Sequence, residues 1–377
     1  MQSLAFILQP GVYLSNNLPL PLSFHWKDQT AVKQFRTGVS LHSHTMHSKE
    51  LLDFIPRMAA QIPVLQVEIT RLSRRFEAFH GGPINFNSGW WTPPLDPLSA
   101  VGLESSQIIN LGLAPLVSLT DHDNLDASRY ESHIASVELT VKLPASFIHL
   151  GIHNLPHARA HEVLAYGDRP AELMKWLRQF PNALLVFNHP LWDEAGIGGP
   201  THRAMAEQFI TEFHSDIHAL ELNGLRPWKE NNAVIELATR LQVPLISGGD
   251  RHGTEPNANI NLTNAASFDE FVDEIRRQRR SHIHFLPQYK TPYALRIADN
   301  LMEILRDTPG HALGWSRWSD RVFYEVVPGQ ARSLSEYWTN GEPTLIRTFV
   351  ALVHIMRASS QLPPVRFATG LLEECRP

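Results

Sequence analysis

Four stretches of this chain share one pattern, a short apolar run that ends in histidine or aspartate. They are Gly38-Val39-Ser40-Leu41-His42-Ser43-His44-Thr45, Thr120-Asp121-His122-Asp123, Asn188-His189-Pro190 and Gly248-Gly249-Asp250-Arg251-His252. Residues i and i+2 of a β-strand point to one face, so His42 and His44 would project together, as two imidazoles gripping one metal ion do. One His-x-His pair carries little weight among 20 histidines. Four strand ends of the same kind carry far more, because they converge only if their strands run parallel around a common centre.

The remaining pattern fits that constraint. Apolar runs at 116–119, 147–153, 161–166, 183–187, 217–223, 243–247 and 281–285 read as strands. Helical periods or caps stand at 99–111, 171–179, 201–213, 234–241 and after Ser267-Phe268-Asp269-Glu270. Such alternation predicts an α/β fold with a parallel sheet, whose chemistry sits at the carboxyl ends of the strands. Residues 1–36 read as irregular. An insertion at about 51–98 begins as helix broken at Pro56 and Pro63, and continues as a loop with Trp90 and Trp91. The barrel-like part is expected over 1–286, followed by a helical C-terminal appendage over 287–377 with helices at 292–306 and 343–358.

Composition narrows the function. The net charge of −5 gives no basic footprint for nucleic acid. The single cysteine, Cys375, rules out thiolate metal sites and a disulfide framework. No signal peptide and no apolar run of about 18 residues is evident, so a cytoplasmic protein without a membrane span is expected. Imidazole and carboxylate ligands suit zinc, manganese or iron. The main ligand candidates are His42, His44, His122, His189, Asp250 and His252, with His153 and His161 behind them. His149, His157, His218, His282 and His284 read as ordinary core or surface histidines.

In order, these motifs resemble the polymerase and histidinol phosphatase (PHP) family: His-x-His-Thr, Thr-Asp-His-Asp, a Gly-Ile-x strand end, a His before Leu-x-Tyr-Gly, His-Pro and Gly-Gly-Asp-x-His. The resemblance spans residues 38–285 apart from the insertion. It implies a distorted (β/α)7 TIM-like barrel that holds up to three divalent ions and hydrolyses phosphate esters with a metal-activated water. It further implies one ion at His42, His44 and Asp250, a second at His161 and His189, and a third at His122 and His252.

Two positions depart from the family pattern. His153 stands where a bridging glutamate is usual, and a neutral imidazole has one lone pair and bridges nothing. Lys49 stands where an aspartate is frequent, with Glu50 beside it, and its ammonium is a candidate substitute for the third cation. Fewer anions hold fewer cations, so one or two ions are expected. Asp250 or His252 is the expected proton acceptor, and His189 or His252 the proton donor to the leaving oxygen. Arg226, Lys229 and Arg251 are candidates to hold the phosphate of a small phosphorylated substrate or nucleotide. Asp121 is expected to orient a ligand. The rival readings are an amidohydrolase-like C–N or C–O hydrolase and a non-catalytic metal-holding interaction protein. The C-terminal helices are the candidate surface for self-association.

Overall fold

The computed structural model describes residues 22–60, 63–129 and 132–360; Cys375 lies outside them. Its strands are β1 (Leu22–Phe24), β2 (Thr37–Leu41), β3 (Glu50–Leu51), β4 (Gly89–Trp91), β5 (Ala114–Ser118), β6 (Val137–Leu143), β7 (Ser146–His153), β8 (Leu184–Phe187), β9 (Ala219–Asn223), β10 (Leu245–Gly248), β11 (Asn259–Thr263), β12 (Ile283–Phe285), β13 (Val322–Glu325) and β14 (Ala331–Ser333). The α-helices are α1 (Phe54–Ala60), α2 (Pro63–His80), α3 (Pro97–Asn110), α4 (Pro170–Leu177), α5 (Gly199–Glu212), α6 (Trp228–Leu241), α7 (Phe268–Arg276), α8 (Tyr293–Ile304), α9 (Leu334–Tyr337) and α10 (Thr344–Ser360). None of the described helices is long and apolar enough to cross a membrane.

The strands form two five-stranded sheets, β1-β12-β11-β2-β5 and β10-β9-β8-β7-β6, and a four-stranded one, β14-β13-β4-β3. No closed barrel exists among the described residues. Between β10 and β11, Asn261 bonds both edges: its Oδ1 accepts from Ser247 N at 2.9 Å, and its Nδ2 reaches Val39 O and Ser247 O at 3.5 Å each. Between β5 and β6 the described residues form no ladder, and one isolated backbone bridge, His122–Glu138, joins the chain beyond β5 to β6. The expected all-parallel order is also broken. β7 runs antiparallel to β6 and β8, and β11 antiparallel to β2 and β12. The stretch 161–166, read as a strand, is a 3-10 helix, and β6, unread in the sequence, supplies the strand instead.

Alternation along each strand sorts the side chains. Val39, Leu41, Leu184, Val186, Ala219 and Ile246 fill the space between the two large sheets, closed on one side by Phe268, Phe271 and Ile275 of α7. Leu185, Phe187, Leu220 and Leu222 point the other way, against Leu173 of α4, Phe209 of α5 and Val234 and Leu237 of α6. On β9, Glu221 therefore shares the inward face with Ala219. A carboxylate there needs partners, and it has them.

The C-terminal region is not helical alone. β13 and β14 pair with each other, and β13 pairs with β4 of the insertion, so the aromatic loop and the tail build one small sheet together.

Candidate metal centre

At the ends of β2, β5, β8 and β10 the backbone turns out of its strands. His42, His189 and Asp250 adopt left-handed φ values of 62°, 27° and 58°. Side-chain-bearing residues pay roughly 1–3 kcal/mol for such conformations, which persist where surroundings enforce them. Here the turn at His42 reverses the alternation that Leu41 would continue and aims the imidazole inward.

The structure brings His42, His44, His122, His189, Asp250 and His252 into one cluster. At its middle stands Glu138 of β6, a residue the sequence reading passed over. Its Oε2 lies 3.0 Å from His42 Nε2, 3.3 Å from His44 Nε2 and 3.4 Å from His122 Nε2. Its Oε1 lies 3.2 Å from His189 Nε2 and 3.6 Å from His149 Nδ1, and accepts from Asn188 Nδ2 at 2.9 Å. Burial alone would raise the Glu138 pKa. The imidazoles of His42, His122 and His149 outweigh burial and hold the carboxylate well below its usual range.

Four groups of donor atoms have the spacing of a metal site, each within 4.8 Å: His44, Glu50, His122 and His252; His42, His44 and Asp250; His42, Glu138 and His189; and His122, Glu138 and His149. The donors fit a divalent ion on three counts. His44 Nε2 is buried without a hydrogen-bond partner. Burial, with His252 adjacent, lowers the His44 pKa to about 3, so its ring is neutral and offers a lone pair. The outer nitrogens are also fixed, as ligand histidines require: His42 Nδ1 lies 2.5 Å from Glu221 Oε1, and His252 Nδ1 donates to the Asp250 carbonyl at 2.9 Å. Asp121 accepts from Thr45 N and Thr45 Oγ1 at 2.5 and 2.7 Å, which locks the turn after His44.

Several sequence expectations are corrected. His153 is not in the cluster; its Nδ1 bonds Ser118 Oγ at 2.8 Å, and it pairs with Leu184 at the opposite end of β8. Because β7 runs antiparallel to β8, the start of β7 faces the centre, and His149 takes the place expected of His153. His161 is exposed on the 160–166 helix. Lys49 is exposed, with Nζ 4.8 Å from the Trp90 ring centroid, and substitutes for no cation. Glu50 occupies the position instead, 3.1 Å from His252 Nε2 and 3.5 Å from His122 Nε2. The ground for expecting only one or two ions, two missing carboxylates, is therefore absent.

The phosphate candidates also separate. Arg251 is buried and committed to Glu104 at 2.9 Å, Gly253 O at 2.7 Å and His44 O at 3.2 Å, so it braces the centre from behind. Lys229 is exposed on α6. Arg226 alone reaches the cluster, with Nη2 3.1 Å from Asp250 Oδ2 and its guanidinium over Trp192, 3.7 Å from the ring centroid.

Glu138 and Glu221 carried one usable signal: each is a lone carboxylate inside an apolar strand run, Val137-Glu138-Leu139-Thr140-Val141 and Ala219-Leu220-Glu221-Leu222. Buried charge in a strand needs a reason.

No protein-family model matches the chain, and no curated protein matches it in sequence. Solved structures share parts of its shape. An amidohydrolase from Chromobacterium violaceum aligns at 14% identity and a TM-score of 0.32, covering 43% of this chain and 84% of its own. PsfC from Pseudomonas syringae aligns at 14% and 0.39, covering 71% and 98%. A two-domain protein from Bacteroides vulgatus, containing a predicted PHP-like metal-dependent phosphoesterase, aligns at 13% and 0.39, covering 66% of this chain and 65% of its own. At these scores and identities the likenesses assign neither family nor activity.

Proposed function

We propose that this protein is a metal-dependent hydrolase of the PHP-like kind, with a phosphate ester of a small molecule as its substrate. One observation carries the reading: a single buried carboxylate, Glu138, stands within 3.0–3.6 Å of five imidazoles, with Glu50 and Asp250 beside them. Such a concentration of donors costs stability unless cations balance it. Four overlapping donor sets would hold the ions: His42, His44 and Asp250; His42, Glu138 and His189; His122, Glu138 and His149; and His44, Glu50, His122 and His252. Bound there, divalent ions supply Lewis acidity toward a phosphoryl oxygen and a lowered pKa for water.

The chain's own groups do the rest. Arg226 stands where a phosphate oxygen beside Asp250 would meet a cation, and its guanidinium rests against the Trp192 ring. Glu221 holds His42 and, through the 2.7 Å bond from His189 N, the turn that carries His189. Held as ligands, His189 and His252 would position the ions and not pass a proton; the remaining ring N–H of His252 is committed to the Asp250 carbonyl. The C–N hydrolase alternative rested on the missing bridging carboxylate, and Glu138 removes that ground.

Elemental analysis of the purified protein, followed by phosphate release from a panel of monoesters and diesters beside amide substrates, tests the reading. Bound transition metal with metal-dependent phosphate release is expected. A metal-free protein, or turnover of amides alone, overturns it.

A further inference from the structure

Glu50 belongs to the centre but sits on β3, a two-residue strand outside both large sheets. So short a strand has no stability of its own. Its backbone is held by β4: Glu50 pairs with Trp91, Leu51 with Trp90, and Leu52 N donates to Gly89 O at 3.0 Å. β4 is held in turn on its other edge by the tail, Trp91 pairing with Val322 of β13.

One residue further on, Thr92 N donates to Arg321 O at 3.0 Å. The Arg321 side chain, 0% exposed, spreads its guanidinium over three carbonyls: Nη1 to Thr92 O at 2.7 Å, Nη2 to Glu303 O and to Arg306 O at 2.8 Å each. It ties the end of α8 and the start of β13 to the strand that carries Glu50's partner. The same region backs His252. A Cβ on Gly253 would lie 2.5 Å from Glu303 Cγ, so α8 packs directly on the residue after that histidine. His42, Glu138 and His189, by contrast, are carried by β2, β6 and β8.

We propose that docking of the tail, through Arg321 and β13, assembles the cation position made by His44, Glu50, His122 and His252, and so sets how many ions the centre holds. The tail is then a positioning element for one metal subsite and not an appendage. The proposal rests on the metal-centre reading above.

The test is metal titration by calorimetry, with elemental analysis, on wild type, Arg321→Met and the milder Arg321→Lys, with hydrogen exchange of residues 50–52 followed alongside. Arg321→Met should bind one ion fewer per chain, keep its remaining ions, and exchange residues 50–52 faster. Glu50→Gln should show the same stoichiometry with normal exchange. Should Arg321→Met not fold, Arg321→Lys decides, with an expected affinity loss of tenfold or more confined to one ion. Wild-type stoichiometry and exchange in a folded Arg321 variant overturn the proposal alone. Wild-type protein that takes up no ion overturns the hydrolase reading and this proposal with it.

Discussion

A Cβ placed on Gly248 would lie 1.6 Å from Glu221 Oε1, the carboxylate of the neighbouring strand. The first glycine of the Gly-Gly-Asp motif is thus a vacancy filled by Glu221. The second glycine does the same for Asn257, which would stand 1.7 Å from its Cβ. Asn257 Nδ2 bonds Ser40, Ser43 and the Leu41 carbonyl, under the turn that carries His42.

Gly248→Ala should therefore expel Glu221 from beneath His42 and the His189 amide. Metal affinity is expected to fall by about 10–100-fold, the usual cost of losing a ligand's supporting partner. Overpacking should also cost about 1–3 kcal/mol of stability. Calorimetric metal titration and urea unfolding measure both; unchanged affinity would show that Glu221 does not orient His42.

Glu138→Gln keeps the shape at the middle of the cluster but removes its charge. Ion content should fall by at least one per chain, and metal-dependent turnover by more than the roughly 100-fold typical of outer partners. Elemental analysis beside phosphate release checks it. Full ion content in Glu138→Gln would mean that the carboxylate balances histidine charge and bridges nothing.

His153→Glu restores the family's carboxylate in sequence but not in space. The backbone of residue 153 lies four residues along β7 from that of His149, about 13 Å at about 3.3 Å per residue. No change in metal content is expected. Destabilisation of about 3–5 kcal/mol is expected, because the new carboxylate would be buried against the Ser118 hydroxyl and its Ser136 partner, with neither of them a cation to pair it. A gain of one ion would return position 153 to the centre.

Acid should destabilise the fold through His218, which lies outside the cluster. Burial, with Arg276 nearby, lowers its pKa from 6.5 to about 3, and its neutral Nδ1 accepts from Leu185 N at 2.8 Å. Below pH 6.5 the unfolded chain takes up a proton that the folded one refuses. Stability is thus complete above pH 6.5 and is lost as pH falls toward 3, by about 2 kcal/mol at pH 5. His218→Asn, which keeps an acceptor without titrating, should flatten that part of the profile in urea unfolding between pH 5 and 7.5. An identical slope in the variant would clear His218.

What the sequence determined by itself is local: the apolar runs, the histidines and aspartate that follow them, and the helix boundary at Pro63. Those features depend on neighbours a few residues away: α2 starts at Pro63, while Pro56 falls in the first turn of α1, where a proline is tolerated and breaks nothing. The tertiary structure decided which residues meet. Whether His149 or His153 faces the centre depends on the direction of β7, which is set by pairing with β8 more than thirty residues later. Glu138 enters from near the start of its strand, where a search past carboxyl ends does not look. Glu50 replaces Lys49 because β3 pairs with β4, and β4 with a strand from the tail. In a sheet, a side chain's face follows from parity, but its depth follows from register and direction. Both are properties of the partner strand, and no single strand's sequence carries them.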